Sequence, residues 1–236
     1  RVRVKKTLEA ILKERIVILD GAMGTMIQRE KLEEADFRGE LFKNHTKDLK
    51  GNNDLLALTR PDIILKIHKQ YLAAGADIIE TNTFTGTSLA QGEYGLTDIA
   101  FKLNKGAAEV ARRAVDEFMR DNPERSCFVA GSIGPTTRTC SLSPDVNDPS
   151  FRNATFDQLA DSFLEQIEGL VAGGVDLLLP ETSIDTLNMK ATIAAIERYA
   201  EKTGKRLPLM LSVTITDASG RTLSGQTIEA FWYSVM

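Results

Sequence analysis

Short, continuous apolar runs alternate along the chain with longer stretches in which apolar residues recur every three or four positions. The runs predict strands and the longer stretches predict amphipathic helices. Strands are predicted at residues 16–19, 78–79, 127–131, 177–179 and 208–214. Strands that alternate with helices and lack a polar face typically form a parallel sheet with right-handed crossovers. The pattern therefore indicates an α/β fold.

Local signals mark where the helices begin and end. Pro61 stands in the first turn of one predicted helix, and Gly75 ends it. A second helix is predicted from Thr97, as its N-cap, to Phe118. His68 lies on the apolar stripe of the first of these helices, so we expect a packed histidine rather than a ligand.

Two further helices follow the third and fourth predicted strands. Thr155 and Gln158 form a capping-box pattern, and another helix begins near Asp185. Residues 1–15 are basic with a short apolar stripe, which predicts a leading helix that covers one end of the domain. Residues 26–59 form a long connection, and connections of this length in a compact domain are usually lids or binding loops.

The residues directly after the first predicted strand combine a carboxylate with two glycines. They are Asp20, Gly21, Ala22, Met23, Gly24 and Thr25. Glycine lets the backbone approach a ligand closely, and a carboxylate at a strand end accepts hydrogen bonds from one. A tight strand-to-helix turn with a capping aspartate explains the same residues, and the stretch alone leaves both interpretations open.

Polar residues recur after each of the predicted strands. They are Asp20, Glu80 to Thr83, Gly134 to Thr136, Glu181 and Thr216. In a parallel α/β fold these positions lie on one face, where ligands bind. No G-x-G-x-x-G follows the first strand, which argues against a dinucleotide-binding domain and favours a (β/α) barrel.

Composition narrows the class of protein further. The 236 residues are 42% hydrophobic and 26% charged, as in ordinary globular proteins. A net charge of −4 gives no basic surface for nucleic acid, and no apolar run is long enough to cross a membrane. The two cysteines, Cys127 and Cys140, are too few for a disulfide framework, which points to the cytoplasm.

Several long words of the sequence are distinctive: ILDGAMGTMIQ, FRGELF, KGNNDLL, GADIIETNTF, VAGSIGPT, SPDVNDPSFRN, DLLLPETSIDTLNMKA and TITDASGRTLSGQT. With these words the chain resembles a known family, the N-terminal homocysteine-binding module of cobalamin-dependent methionine synthase. The words cover nearly the whole chain. The NND and SGRTLSGQT words are more similar to methionine synthase than to the smaller betaine- or S-methylmethionine-dependent enzymes.

The resemblance implies a (β/α)₈ barrel, of which residues 16–236 cover about the first five units behind a leading segment at 1–15. It implies methyl transfer from methylcobalamin to the homocysteine thiolate to give methionine, with methyltetrahydrofolate as the ultimate donor. In the family, zinc held by three cysteines keeps the sulfur as thiolate. Folate- and cobalamin-binding modules of the same polypeptide are the implied partners.

The resemblance also assigns roles to residues around the strand ends. Asp20 and Glu181 are the expected carboxylates for the substrate ammonium group. Backbone N–H groups of the turn are the expected donors to the substrate carboxylate. The full set of expected substrate-binding residues is Asp20, Gly21, Ala22, Met23, Gly24, Thr25, Thr81, Asn82, Thr83 and Glu181.

The chain departs from the family in its zinc ligands. The family's cysteines stand in G-x-N-C and G-G-C-C-G words, and neither word occurs before Met236. Cys127 stands at the entrance of the third strand and Cys140 in the loop after it, so neither predicts a zinc site. Pro180 replaces the family's usual aliphatic residue and puts the direction of Glu181 in question.

Three functional interpretations remain at this point. The first is the homocysteine half of methionine synthase, incomplete because the chain is a fragment that lacks the zinc cysteines. The second is a stand-alone homocysteine methyltransferase with another methyl donor. The third is a non-catalytic product that keeps the amino-acid pocket or acts only in assembly. A barrel of this type needs roughly 250 residues, which favours the fragment.

Overall fold

A three-stranded parallel sheet forms the centre of the fold. The computed structural model describes residues 6–236. The strands are β1 (Ile78–Glu80), β2 (Phe128–Ile133) and β3 (Leu177–Pro180), in the order β1-β2-β3. Ile79 lies opposite Val129. The prediction of an α/β fold with a parallel sheet is confirmed.

Helices connect the strands and, apart from the first helix, cover one face of the sheet. Among residues 6–236 they are α1 (Leu8–Leu12), α2 (Met23–Arg29), α3 (Glu34–Arg38), α4 (Leu56–Thr59), α5 (Pro61–Ala74), α6 (Ser88–Gln91), α7 (Ala100–Asp121), α8 (Phe156–Ala172), α9 (Thr186–Thr203) and α10 (Ile228–Val235). Short 3₁₀ turns lie at Asn53–Leu55, Gly92–Tyr94 and Thr97–Ile99. Within the described part of the chain, no helix combines the length and the apolar character that crossing a membrane requires.

Most of the predicted helix boundaries are confirmed. Gly75 ends α5 with φ of 113°, a left-handed conformation that favours glycine. Thr155 and Gln158 form the predicted capping box of α8, and the Asp185 side chain caps α9. Thr97 is not an N-cap: it begins a 3₁₀ turn, and α7 starts three residues later without a side-chain cap.

The leading helix is shorter than predicted. It covers only Leu8–Leu12, with the Thr7 side chain as its cap, and Ile11 is buried against the sheet. The part of the prediction that concerns residues 1–5 lies outside the described residues. Residues 26–59, predicted as a long connection, include α3, α4 and short helical turns and contribute Phe37 and Leu49 to a buried cluster.

The core lies between the sheet and the helices α5, α7, α8 and α9. Alternate strand residues such as Ile79, Val129 and Leu178 enter this core. His68 on α5 is fully buried, as predicted, and burial lowers its pKa to about 4. The intervening strand residues face the other side of the sheet, where Ile78, Phe128, Ala130, Leu177 and Leu179 form a smaller apolar cluster.

The opening segment, residues 16–20, pairs with β1 but is not a strand buried on both faces. Leu19 bridges Ile78 in parallel, and the Asp20 N–H donates to the Ile78 carbonyl at 3.0 Å. Ile16 is 83% exposed and Ile18 is 52% exposed. Within the described residues, this segment has one pairing neighbour, so its apolar run is only partly covered. The predicted burial is wrong here.

The fifth segment, residues 208–214, pairs with β3 through isolated bridges. These join Leu209 to Leu178 and Val213 to Ser183. A continuous strand over the whole range is therefore wrong. The pairing is discontinuous because Pro180 and Pro208 have no backbone N–H group to donate, so the ladder of hydrogen bonds between these segments is interrupted.

A repeated Gly-x-Asp sequence ties the beginnings of β1 and β3 to the segment that precedes each in the sheet. Asp77 accepts hydrogen bonds from the Ile18 N–H at 3.0 Å and from two guanidinium nitrogens of Arg15, each at 2.7 Å. Asp176 accepts the Val129 N–H at 2.8 Å and is paired with Arg112. These bonds fix the relative positions of neighbouring strands at the end of the sheet where each strand begins.

We expect Asp77→Ala to destabilise the fold by about 1.5–3 kcal/mol, because hydrogen bonds to a charged group are lost. Arg15 holds the pKa of Asp77 below its ordinary value of 3.8. The stabilisation is therefore complete above that value and lost as the pH falls through the lower, folded-state pKa. Urea denaturation at neutral pH measures the loss. Asp48→Ala is the control, since Asp48 is 94% exposed beside Arg38. Equal effects of the two substitutions would contradict the assignment.

Candidate functional site

Side chains from four segments meet where the parallel strands end. Asp20 closes the opening segment, Glu80 is the last residue of β1, and Glu181 directly follows β3. Ser132 is the next-to-last residue of β2. Because the carboxyl ends of parallel strands share one edge of a sheet, residues up to 161 positions apart along the chain become neighbours here.

These residues line a cavity of about 440 Å³, which we call the acidic cavity. Its lining consists of Asp20, Gly21, Ala22, Met23, Gly24, Gly51, Asn53, Asp54, Glu80, Thr81, Asn82, Thr83, Phe84, Thr85, Ser132 and Glu181. The structure thus brings together the expected substrate-binding residues, with the exception of Thr25. Thr25 lies on α2 with an exposed side chain. Gly134 and Pro135 line a small neighbouring cavity, and Thr216 is exposed, so the predicted common face includes fewer strand ends than expected.

The threonines of the E-T-N-T word hold the walls of the acidic cavity together. The Thr81 and Thr83 hydroxyls are 2.6 Å apart, and the Thr83 hydroxyl donates to the Ser132 carbonyl at 2.7 Å. The Ser132 N–H donates to the Thr81 hydroxyl at 3.0 Å. Asn82 donates to the Asn53 carbonyl at 2.8 Å. These side chains therefore fix β1, β2 and the long connection relative to one another.

The turn after the opening segment is both a tight turn and a wall of the cavity. Helix α2 begins at Met23, and its N-cap residue, Ala22, makes no side-chain capping bond. The first N–H groups of a helix have no partner within the helix, so this turn presents backbone donors at the rim. The Tyr71 hydroxyl donates to the Ala22 carbonyl at 3.2 Å and holds the turn in place.

Three carboxyl groups, which we call the carboxyl cluster, face one another across the cavity: Asp20, Glu80 and Glu181. No lysine, arginine or histidine is among the lining residues. One oxygen of Asp20 accepts the Glu80 N–H at 3.1 Å, and the other is buried without a hydrogen-bond partner. Burial, with a smaller contribution from the charge of Glu181, raises the pKa of Asp20 to about 7.

The other two members of the cluster are Glu80 and Glu181, which line the same cavity. Burial and then the charges of Glu181 and Asp20 raise the pKa of Glu80 well above its ordinary value. The Ser132 hydroxyl donates a hydrogen bond to Oε1 of Glu181. With Pro180 in place, Glu181 still lies in the cavity wall.

A fourth carboxyl group reaches the cavity from the long connection. Asp54 is 3% exposed and accepts hydrogen bonds from the N–H and hydroxyl of Thr85, at 2.6 and 2.9 Å. Burial raises its pKa to about 7 despite these bonds. A cavity with four carboxyl groups and no cationic side chain in its lining is suited to a positively charged ligand group.

Neither cysteine belongs to the cavity. Cys127 directly precedes β2, at the opposite end of the sheet from Ser132. Cys140 is in the loop after β2, where its N–H donates to Asn188 at 2.8 Å. Over residues 6–236, no group of three His, Cys, Asp or Glu side chains is arranged to hold a metal ion. The described part of the chain therefore does not fit the three-cysteine zinc site that the resemblance implies.

A family model described as homocysteine S-methyltransferase matches residues 17–236. The chain belongs to the homocysteine S-methyltransferase family. Members of this family transfer a methyl group to the sulfur of homocysteine, so the activity class is that of a methyltransferase.

Solved structures similar to this family member include the homocysteine methyltransferase MmuM from Escherichia coli. Its metallated form gives a TM-score of 0.75 at 23% identity, over 97% of this chain and 73% of the MmuM chain. Its oxidized form gives a TM-score of 0.73 at 23% identity, over 94% of this chain and 70% of the MmuM chain. At this identity the similarity establishes the fold alone.

The expected substrate-binding set leaves out five polar residues of the acidic cavity: Asn53, Asp54, Glu80, Thr85 and Ser132. Glu80 carried a usable signal, because it begins the E-T-N-T word at a predicted strand end. Asp54 follows a Gly-Asn-Asn turn in the long connection, and nothing local predicts that it is buried beside Thr85. Ser132 has one sequence signal, as the first polar residue after the strand predicted at 127–131.

We expect the buried Asp54 to lower the free energy of unfolding progressively as the pH rises from about 4 to about 7. An acid whose pKa is raised by folding keeps its proton in the folded state while the unfolded chain has lost it. For Asp54 this interval runs from 3.8 to about 7. Asp54→Asn does not titrate and is expected to reduce the decline, measured by urea denaturation at several pH values. Asp48→Asn should retain the wild-type decline, and an unchanged decline in Asp54→Asn would refute the assignment.

Proposed function

We propose that this chain is the homocysteine-recognition part of a cobalamin-dependent methionine synthase. In the proposed reaction, the methyl group of methylcobalamin passes to the homocysteine sulfur to give methionine, and methyltetrahydrofolate restores the methyl group. The observation that carries the proposal is the acidic cavity at the strand ends, with no cationic side chain in its lining. The N-N-D word, which resembles methionine synthase, supplies Asn53 and Asp54 to that lining.

The amino-acid end of homocysteine is proposed to bind in the acidic cavity. Asp20 and Glu181 accept hydrogen bonds from the ammonium group, and the buried, unpartnered oxygen of Asp20 supports this role. Backbone N–H groups at Gly21, Ala22 and Met23 donate to the substrate carboxylate. Thr81, Asn82 and Thr83 form the wall and keep the strand ends in position.

The sulfur of homocysteine needs activation that these residues do not provide. A free thiol has a pKa of about 8.5, so only a small fraction is thiolate at neutral pH. Zinc coordination is the activation expected from the family, and it would supply the thiolate at neutral pH. The role proposed for residues 6–236 is to bind and orient the amino-acid end of the substrate.

The same proposal includes a (β/α)₈ barrel. The apolar residues on the open side of the sheet support it, since Leu19, Ile78, Leu177 and Leu209 line a second cavity of about 300 Å³. Side chains of this kind fill the interior of such barrels. Folate- and cobalamin-binding modules of the same polypeptide, and a cytoplasmic location, belong to the proposal as well.

The methyl donor that supports turnover distinguishes the proposed methionine synthase module from a stand-alone methyltransferase. The purified chain, supplied with zinc and homocysteine, is incubated in turn with methylcobalamin, S-methylmethionine or betaine, and methionine is quantified. We expect homocysteine binding without turnover by the isolated chain. Turnover with S-methylmethionine or betaine would favour the stand-alone enzyme, and absence of homocysteine binding would refute the proposed recognition role.

Removing the negative charge of Asp20 or of Glu181 is expected to weaken homocysteine binding by about 10- to 100-fold. Hydrogen bonds between charged groups contribute about 1.5–3 kcal/mol, and 1.4 kcal/mol is tenfold in affinity. Asp20→Asn and Glu181→Gln keep the side-chain shape, and calorimetry measures the dissociation constant. Asp48→Asn is the matched control. As a ligand control, 4-mercaptobutyrate lacks only the amino group, so the wild-type protein should bind it weakly and the variants should show little further loss.

The isolated chain is expected to retain less than one equivalent of zinc after gel filtration. The physical reason is the absence, within residues 6–236, of three suitably arranged ligands. Elemental analysis of the protein peak measures the metal. One tightly held zinc per chain would show that Cys140 or Cys127 belongs to a site that the described arrangement does not reveal.

A further inference from the structure

Thr182, the residue after Glu181, has a backbone conformation that L-amino acids rarely adopt. Its φ is 54°, in the left-handed region, and threonine is disfavoured there because its side chain branches at Cβ. Among residues 6–236, the other positive-φ residue that is not glycine is Lys31, which is exposed between α2 and α3. Strained backbone of this kind concentrates at functional sites, and Thr182 adjoins a residue of the acidic cavity.

The strain accompanies one extra residue in the pairing between β3 and the fifth segment. Leu178 bridges Leu209, and Ser183 bridges Val213. The chain thus advances five positions on the β3 side, from 178 to 183, and four on the other side, from 209 to 213. A regular parallel ladder advances both sides equally, so Ser183 stands where Thr182 is expected. The extra residue makes this a β-bulge.

The hydrogen bonds of Ser212 locate the bulge. The Ser212 N–H donates to the Pro180 carbonyl at 2.9 Å, and the Ser183 N–H donates to the Ser212 carbonyl at 3.0 Å. In a regular parallel ladder the two partners of one residue lie two positions apart, whereas these two lie three apart. The residues between them are Glu181 and Thr182, which together occupy the place of one residue.

The bulge brings the Thr182 hydroxyl to the carboxylate of Glu181. In a regular strand, successive side chains point to opposite faces of the sheet and do not meet. Here the Thr182 hydroxyl donates to Oε2 of Glu181 at 3.4 Å. Pro180 and Ser183 both line the small neighbouring cavity, as expected if the faces of the strand are out of step by one residue.

Glu181 is thereby held at both of its carboxylate oxygens. The Ser132 hydroxyl donates to Oε1, and the Thr182 hydroxyl donates to Oε2. The backbone of Glu181 is fixed as well, since its N–H donates to the Ile133 carbonyl at 3.0 Å. A carboxylate has about four acceptor positions, so the two hydroxyls orient the group and leave other positions for a ligand.

We propose that Thr182 is a positioning residue for amine recognition: the bulge brings its hydroxyl to Glu181, and the hydroxyl holds the carboxylate in the orientation that accepts the substrate ammonium group. The inference rests on the proposed function for the identity of the ligand. Glycine at this position would relieve the strained backbone but would leave Oε2 of Glu181 without this donor. Stability and binding therefore depend on Thr182 in opposite ways.

Thr182→Gly tests this opposition directly. We expect its thermal midpoint to rise by about 1–4 °C, because glycine adopts the left-handed conformation without strain. We expect its dissociation constant for homocysteine, measured by calorimetry, to rise about 2- to 10-fold, because one hydrogen bond to the carboxylate is lost. A residue with only a structural role would instead change stability and affinity in the same direction.

Three further variants separate the hydroxyl from the backbone. Thr182→Val keeps the branched shape and the strain but lacks the hydroxyl, so it should bind as weakly as Thr182→Gly without the higher midpoint. Thr182→Ser keeps the hydroxyl and should restore wild-type affinity. Lys31→Gly is the matched control for strain, since Lys31 has a φ of 51° and lies outside the cavity lining. Its midpoint should rise while its affinity for homocysteine stays unchanged.

The possible failures of the inference and of the proposed function differ. Wild-type affinity in Thr182→Gly, or no recovery in Thr182→Ser, would overturn the inference and leave the proposed function intact. A fall in both midpoint and affinity in Thr182→Gly would show a structural role and would also overturn it. Absence of homocysteine binding by the wild-type protein would instead refute the proposed function, and the inference with it.

Discussion

Parallel pairing of the strands is the constraint on which the rest of the structure depends. It sends every strand in the same direction, so the chain must return through helices, and these cover one face of the sheet. It also separates the two ends of the sheet chemically. Asp77 and Asp176 hold the beginnings of the strands in ion pairs with arginines, whereas Asp20, Glu80 and Glu181 meet at the other end without any.

The carboxyl groups at the two ends of the sheet have pKa values that are shifted in opposite directions. Asp77 has its pKa lowered by Arg15, so its charge stabilises the fold. Asp20 and Asp54 have pKa values raised to about 7 by burial, so their charges oppose folding at neutral pH. Carboxyl groups that oppose folding in this way are typical of functional sites, where a ligand supplies the missing positive charge. In a homocysteine S-methyltransferase, that charge is proposed to be the substrate ammonium group.

The walls of the cavity are rigid because their polar side chains bind one another. Thr81 and Thr83 join β1 to β2, and Asn82 joins β1 to the long connection. The buried Gln166 of α8 adds a helix to this network, since it donates to the Thr83 carbonyl at 2.9 Å. These hydrogen bonds hold the carboxyl cluster in place, which preorganises it for a ligand.

The sequence by itself determined the α/β alternation, the starts of α5, α8 and α9, and most of the cavity wall. These features depend on neighbours within a few residues: Pro61 in a first turn, the Thr155–Gln158 capping box, and polar words that directly follow apolar runs. Only the tertiary structure decided that Glu80 and Asp54 share a cavity with Asp20, that Ile16 is exposed, and that Val213 forms an isolated bridge. Strand register, burial and the protonation of facing carboxyl groups depend on residues that are distant in the chain, and no local pattern encodes those distances.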